Sequence, residues 1–211
     1  MPVVRIREEA NGVKLGVWQI TESQDELTAA ASEQGLDTSY CGQFKTPYRN
    51  AQCLAVRLLL AELLGKREVK LFYDEFGKPH LQNGPHVSIS HSKKMVAVIV
   101  DPQASTGIDI EFFSEKVKRI GSRFLHEREL ITIDAAHETA HLLLFWGGKE
   151  AMYKAYGKKE LIFKEQLYIP AFRYAESGVF KGEVRLGQRH QCFTLKHEKI
   201  DNYTLVYLLN S

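Results

Sequence analysis

Apolar positions recur along the chain with two periods, and the switches between them mark out its elements. Val13 to Ile20 reads as a strand, and Thr21-Glu-Ser-Gln-Asp-Glu supplies the start of a helix reaching about Glu33. From Pro47 to about Leu64 the apolar residues Leu54, Leu58, Ala61 and Leu64 return at helical spacing, and Gly65 stops the run. Val69, Leu71 and Tyr73 alternate as a strand, with Asp74-Glu-Phe-Gly-Lys-Pro79 as the turn after it. Val87-Ser-Ile-Ser90 alternates again, and Met95 to Val100 is apolar throughout, as a buried strand is.

The pattern then repeats. Thr106 to Glu111 reads as a strand, and a basic region runs to Arg128. Helical material continues through Ala136, and a long helix covers about Thr139 to Tyr156. Strands follow at Leu167–Phe172, Val179–Leu186, Cys192–Leu195 and Tyr203–Leu208. Two successive blocks of this kind predict an α+β fold of two similar α/β half-domains in a pseudo-twofold arrangement. Each half, residues 1–103 and 104–211, is expected to pack a mainly antiparallel sheet against helices.

Composition narrows the class. With 211 residues, 44% apolar and 26% charged, the chain is an ordinary folded protein. The balance of 28 Lys+Arg against 26 Asp+Glu gives +2, too little for binding nucleic acid through bulk charge. The three cysteines, Cys41, Cys53 and Cys192, are scattered, so reduced thiols are expected and a zinc ribbon or disulfide scaffold is excluded. The first residues hold no apolar run long enough for a signal peptide, and no run approaches 18 apolar residues. A cytoplasmic chain with neither membrane nor nucleic acid as partner is expected.

Four clusters carry chemistry. In Thr106-Gly-Ile-Asp-Ile-Glu111, strand alternation puts Asp109 and Glu111 on one face and Ile108 and Ile110 on the other. Paired carboxylates there suit a hard cation, although a half-exposed strand with a polar face gives the same pattern. In Phe145-Trp-Gly-Gly-Lys-Glu-Ala-Met-Tyr-Lys154, Trp146, Glu150 and Lys154 form one helical stripe with Lys149 beside it. A surface ion pair is the plain reading of that stripe. The two glycines cost about 1 kcal/mol each in a helix, so close approach or a kink is expected there. Val87-Ser-Ile-Ser-His-Ser-Lys-Lys94 ends a strand on Ser90 and His91, and Gly77-Lys-Pro79 offers Lys78 from a rigid turn. A fifth match, His137-Glu-Thr-Ala-His141, satisfies the zinc-peptidase pattern, with Glu160 as the candidate third ligand. It straddles the start of the long helix, which counts against it.

In this order, Gly-Lys-Pro, Ser-Ile-Ser-His-Ser, Gly-Ile-Asp-Ile-Glu and Trp-x-x-Lys-Glu-Ala-x-x-Lys resemble the 4′-phosphopantetheinyl transferase superfamily in its longer single-chain form. The motifs span Gly77 to Lys154. The resemblance implies transfer of phosphopantetheine from coenzyme A, the co-substrate, to a serine of an acyl or peptidyl carrier protein, releasing adenosine 3′,5′-bisphosphate. It implies Asp109, Glu111 and Glu150 as ligands of Mg2+, or of Mn2+ in its place. Lys78, Pro79, Ser90, His91, Lys149, Lys154 and Arg49 match positions near coenzyme A. Glu150, Lys154 and His91 are the residues implied in catalysis, with Glu150 and His91 both open as the base. Gly147-Gly148, Lys158-Lys159-Glu160, Gln52 and Cys53 depart from the family's usual residues. A zinc metallopeptidase and a non-catalytic carrier-protein or nucleotide-binding module are the competing classes.

Net charge conceals local excess. Residues 66–94 hold six Lys/Arg against three acids, while 114–128 and 149–164 each hold five against two. Such patches suit an anionic cofactor and an acidic carrier protein. A chain with two halves is expected to act as a monomer.

Overall fold

A computed structural model describes residues 3–65, 69–158 and 161–209. The chain divides into two compact units, residues 1–105 and 106–211.

The first unit contains β1 (Val3–Glu8), β2 (Lys14–Gln19), α1 (Gln24–Glu33), α2 (Pro47–Leu64), β3 (Leu71–Tyr73), β4 (Pro79–Leu81), β5 (His86–Ser92) and β6 (Met95–Asp101). Its main sheet runs β1-β2-β6-β5 with every pairing antiparallel, and β3 and β4 form a separate small ladder. Local chemistry sets the helix ends. Ser23 and Glu26 close a capping box on α1. Thr46 caps α2 ahead of Pro47, and Gly65 ends it at φ 60°. The helices bury Leu27, Leu54, Leu58 and Leu59 with Trp18, Val96 and Val98 of the sheet. Every residue of β6 is buried, as its apolar run requires.

The second unit contains β7 (Ile108–Phe112), α3 (Lys116–Phe124), α4 (Glu127–Leu130), α5 (Glu138–Tyr156), α6 (Phe163–Gln166), β8 (Leu167–Tyr168), β9 (Ser177–Leu186), β10 (Arg189–Ile200) and β11 (Tyr203–Leu209). Its antiparallel sheet runs β7-β11-β10-β9-β8. The glycines of α5 are explained by close approach to that sheet. A Cβ on Gly147 would stand 2.9 Å from Val206, and one on Gly148 would stand 2.9 Å from Ile169 and 3.0 Å from Phe180. On the other side of the contact, a Cβ on Gly107 would fall 1.8 Å from the Ala151 carbonyl oxygen. Helix and strand therefore meet backbone to backbone beside Asp109.

The expected α+β fold with antiparallel sheets and packed helices is present. Differences lie in element extent. β1 and β4 were not expected, the strand expected over Leu167–Phe172 holds only Leu167–Tyr168, and β10 is far longer than Cys192–Leu195. The thiols also differ: Cys41 and Cys53 are disulfide-bonded and Cys192 alone is free. A tight turn at Cys41–Gln43 brings its residue back against α2, with Cα atoms 5.3 Å apart, a closure invisible in the spacing. Among the described residues, no helix is long and apolar enough to cross a membrane.

Behind α5, His197 is 2% exposed beside Phe172 and Phe180. Burial, and next to it the His141 imidazole, push His197 down to about 4. Below pH 6.5 the unfolded imidazole takes up a proton that the folded one refuses until about pH 4. Stability is therefore expected to fall across that window by up to about 3 kcal/mol. Urea unfolding of wild type and His197→Phe at pH 7 and pH 4.5 checks it: the variant should lose less on acidification.

Candidate active site

In the second unit the site is built from one strand and one helix. β7 presents Asp109, 3% exposed, and Glu111 from the face turned to α5. From α5, Lys154 Nζ donates to Asp109 Oδ1 at 2.8 Å and to the Ile108 carbonyl at 2.9 Å. One turn before Glu150 on the same stripe, Trp146 Nε1 donates to Glu111 Oε1 at 3.2 Å. Glu150 is half-buried among these groups. Burial, then the Asp109 carboxylate, push its carboxyl up to about 7, with Lys154 opposing and Glu111 adding. The stripe is thus no surface ion pair.

Three carboxylates gathered in a partly dry place with one lysine are a hard-cation donor set. Their mutual repulsion, seen in Glu150, is what a divalent ion relieves, so the residues fit Mg2+ by charge and chemistry. Their oxygens are not drawn together within 4.8 Å, a closeness that among the described residues only Glu183, His190 and Cys192 reach.

The first unit holds the remaining cationic candidates. Arg49, in the first turn of α2, places Nη1 2.6 Å from Nε2 and 3.0 Å from Nδ1 of His91 at the end of β5. A guanidinium can only donate, so a hydrogen bond here needs a ring nitrogen of His91 as the acceptor. Gln52 accepts from Arg49 at 3.0 Å and donates to the Lys93 carbonyl at 2.9 Å, tying helix to hairpin. Lys78 stands on its own turn. Asp74 Oδ1 accepts from the amides of Phe76 and Lys78, and Gly77 sits at φ 79°. Lys78 Nζ donates to Ser105 Oγ at 2.7 Å, and burial holds its pKa below the usual lysine value. Pro79 opens β4 half-buried, and Ser90 is buried in β5.

Lys149 is a correction. Expected near coenzyme A, it is fully buried. Its Nζ donates to Glu129 Oε2 at 2.7 Å and to the carbonyls of Phe124 and Phe163 at 2.7 and 3.0 Å. An ammonium so enclosed has no path to a phosphate. The helix stripe explains the error: Lys149 lies one position round from Glu150, on the face turned to α4 and α6. Its partner Glu129 escaped the sequence reading, although His126-Glu-Arg-Glu129 has capping-box spacing. Glu129 Oε1 also accepts from the Ile169 amide at 2.8 Å, and Oε2 from the His126 amide at 2.7 Å.

The zinc-peptidase match fares poorly. α5 begins at Glu138, so His137 stands outside the helix, where it bonds Asp134 at 3.2 Å and stacks on Tyr174. His141 is buried, its Nδ1 accepts from the Asp134 amide at 3.0 Å, and its ring packs against Phe145 and Phe172. Glu160, the third candidate ligand, lies outside the described residues.

The carboxylate strand and the Lys-Glu-Ala helix of the second unit are also where similarity to known proteins falls. Residues 105–207 match the family model described as the 4′-phosphopantetheinyl transferase superfamily. The C-terminal unit belongs to that superfamily. A relative, the 4′-phosphopantetheinyl transferase gsp of Aneurinibacillus migulanus, is 32% identical over 110 residues, which are 50% of this chain and 46% of that protein. The aligned stretch thus spans about half of the curated relative's length.

Proposed function

We propose that this chain is a 4′-phosphopantetheinyl transferase that moves phosphopantetheine from coenzyme A to a serine of an acyl or peptidyl carrier protein. The observation that carries this reading is the cluster of Asp109, Glu111, Glu150 and Lys154 on β7 and α5, inside the stretch that matches the superfamily. In the reaction the serine Oγ bonds to the pantetheine-side phosphorus of the pyrophosphate. The bond from that phosphorus to adenosine 3′,5′-bisphosphate breaks, and the serine proton leaves to a base.

Asp109, Glu111 and Glu150 would hold Mg2+, which would supply positive charge for the pyrophosphate oxygens. Lys154, anchored on Asp109 and the Ile108 carbonyl, has a third N–H for a phosphoryl oxygen. Glu150 is our first candidate to take the serine proton, and His91 is the second. Lys78 and Arg49, with His91 beside it, are the phosphate donors we assign to the first unit, and Pro79 and Ser90 belong to the same assignment. An acidic carrier protein matches the basic segment at 114–128. Mg2+ or Mn2+ as cofactor, monomeric action and a cytoplasmic setting belong to the same proposal.

Nucleotide chromatography tests it. Adenosine 3′,5′-bisphosphate is expected only when coenzyme A, Mg2+ and an apo-carrier are all present. Intact coenzyme A with every class of carrier would contradict it. A pH dependence follows from Glu150, which must lose its proton to bind a cation. Mg2+ affinity, measured by calorimetry, is expected to rise from pH 6 to 8 with proton release, and Glu150→Gln should flatten that slope.

A further inference from the structure

β9 and β10 form the longest ladder of the protein, and one place on it assembles metal-ligand chemistry far from the carboxylate cluster. In this ladder Glu183 pairs with Cys192 and Arg185 with His190. Alternation therefore puts Glu183, Arg185, His190 and Cys192 on one face. That face is the outer one, because Phe180, Gly182 and Val184 of the opposite parity turn inward, with Gly182 against Met152 of α5. In the sheet order β7-β11-β10-β9-β8, the pair of strands is separated from Asp109 by β11 as well as by the change of face.

Glu183, His190 and Cys192 each bring one ligand atom within 4.8 Å of the others. Glu183 Oε2 already accepts from His190 Nε2 at 2.8 Å. Cys192 is the free cysteine of the chain and is exposed. Carboxylate oxygen, imidazole nitrogen and thiolate sulfur together select a borderline-soft divalent ion over Mg2+, which has little use for sulfur. A tetrahedral ion with bonds of 2.0–2.3 Å sets its ligands about 3.3–3.8 Å apart, so small rotamer changes at an exposed position close the set. Water completes the fourth place.

One feature opposes the ion. Arg185 donates to Glu183 Oε2 through Nε at 2.8 Å and Nη2 at 2.6 Å. It also lies over the Tyr168 ring, 4.3 Å from the centroid, a second seat for the cation when Glu183 turns to a metal. Zn2+ with one carboxylate, one thiolate and a neutral imidazole sums to zero charge, so Arg185 is not left against a new positive centre.

We propose that Glu183, His190 and Cys192 form a Zn2+ site on the outer face of the β9–β10 hairpin, distinct from the cation site of the transfer reaction. Binding releases the Cys192 thiol proton and clips the two strands together. It does not depend on the transferase reading.

Co2+ titration of the full chain tests this, in a Cys41→Ser/Cys53→Ser background that leaves Cys192 as the sole thiol, with Mg2+ in excess. The expected result is a sulfur-to-cobalt charge-transfer band saturating at one equivalent and bleached by Zn2+. Carboxylate sites cannot give that band. His190→Ala should weaken Co2+ binding about tenfold or more, Arg185→Ala should tighten it, and Cys192→Ser should abolish the band. No band in the background protein, or unchanged affinity in His190→Ala, would overturn the proposal.

Discussion

Lys149→Met is expected to destabilise the second unit by about 3–5 kcal/mol, the usual loss when one partner of a buried ion pair is removed. The variant leaves Glu129 fully buried without its cation, holding only the amides of His126 and Ile169. It also deprives the carbonyls of Phe124 and Phe163 of a donor. Glu129→Gln should cost less, because a neutral amide keeps one hydrogen bond to the lysine. The informative comparison is Lys149→Met with Glu129→Leu. Together they replace the pair by apolar groups of similar volume, and part of the lost stability should return. Urea unfolding at neutral pH measures all three, and a single variant as stable as wild type would contradict this reading of Lys149. Since Lys149 precedes Glu150, the pair also fixes the turn of α5 that presents the candidate base.

Asp109→Asn is expected to lower phosphopantetheine transfer by about 10²–10³-fold, the loss that follows removal of one preorganised electrostatic group. Asparagine keeps the volume between β7 and α5, where a Cβ on Gly147 would already stand 3.5 Å from Asp109 Oδ2. Folding should therefore survive, and circular dichroism with a thermal midpoint checks that it does. A second readout separates charge from packing: Mg2+ should raise the midpoint of wild type and not of the variant. Full transfer activity in a folded Asp109→Asn protein would remove this residue from the proposed mechanism.

Which residues of the second unit share a face was legible in the sequence, because period alone decides it, while their reading as one site came from the family resemblance. Alternation put Asp109 and Glu111 on one face, and the i, i+4, i+8 stripe put Trp146, Glu150 and Lys154 on another. The structure joins the two through Lys154 with Asp109 and Trp146 with Glu111. What period cannot supply is which neighbour a residue meets at long range. Lys149 and Lys154 are alike in the sequence, and only the fold sets Glu129, 20 residues earlier in the chain, opposite Lys149. The Cys41–Cys53 bond and the contact of Arg49 with His91 were hidden for the same reason. The fold followed similar lines: β6 and α5 announce themselves by long apolar patterns, whereas β1 has six residues at a sheet edge. Its alternation is too short to stand out from a polar terminus. The glycine pair in α5 was a visible anomaly, and the approach of Val206, Ile169 and Phe180 accounts for it.

Intact-mass spectrometry of an apo-carrier protein incubated with coenzyme A, Mg2+ and this protein tests the central claim most directly. The account predicts that the carrier gains one phosphopantetheine on its serine with wild type and far less with Asp109→Asn over the same time. Carriers from fatty-acid, polyketide and peptide assembly all remaining at their apo mass would contradict it.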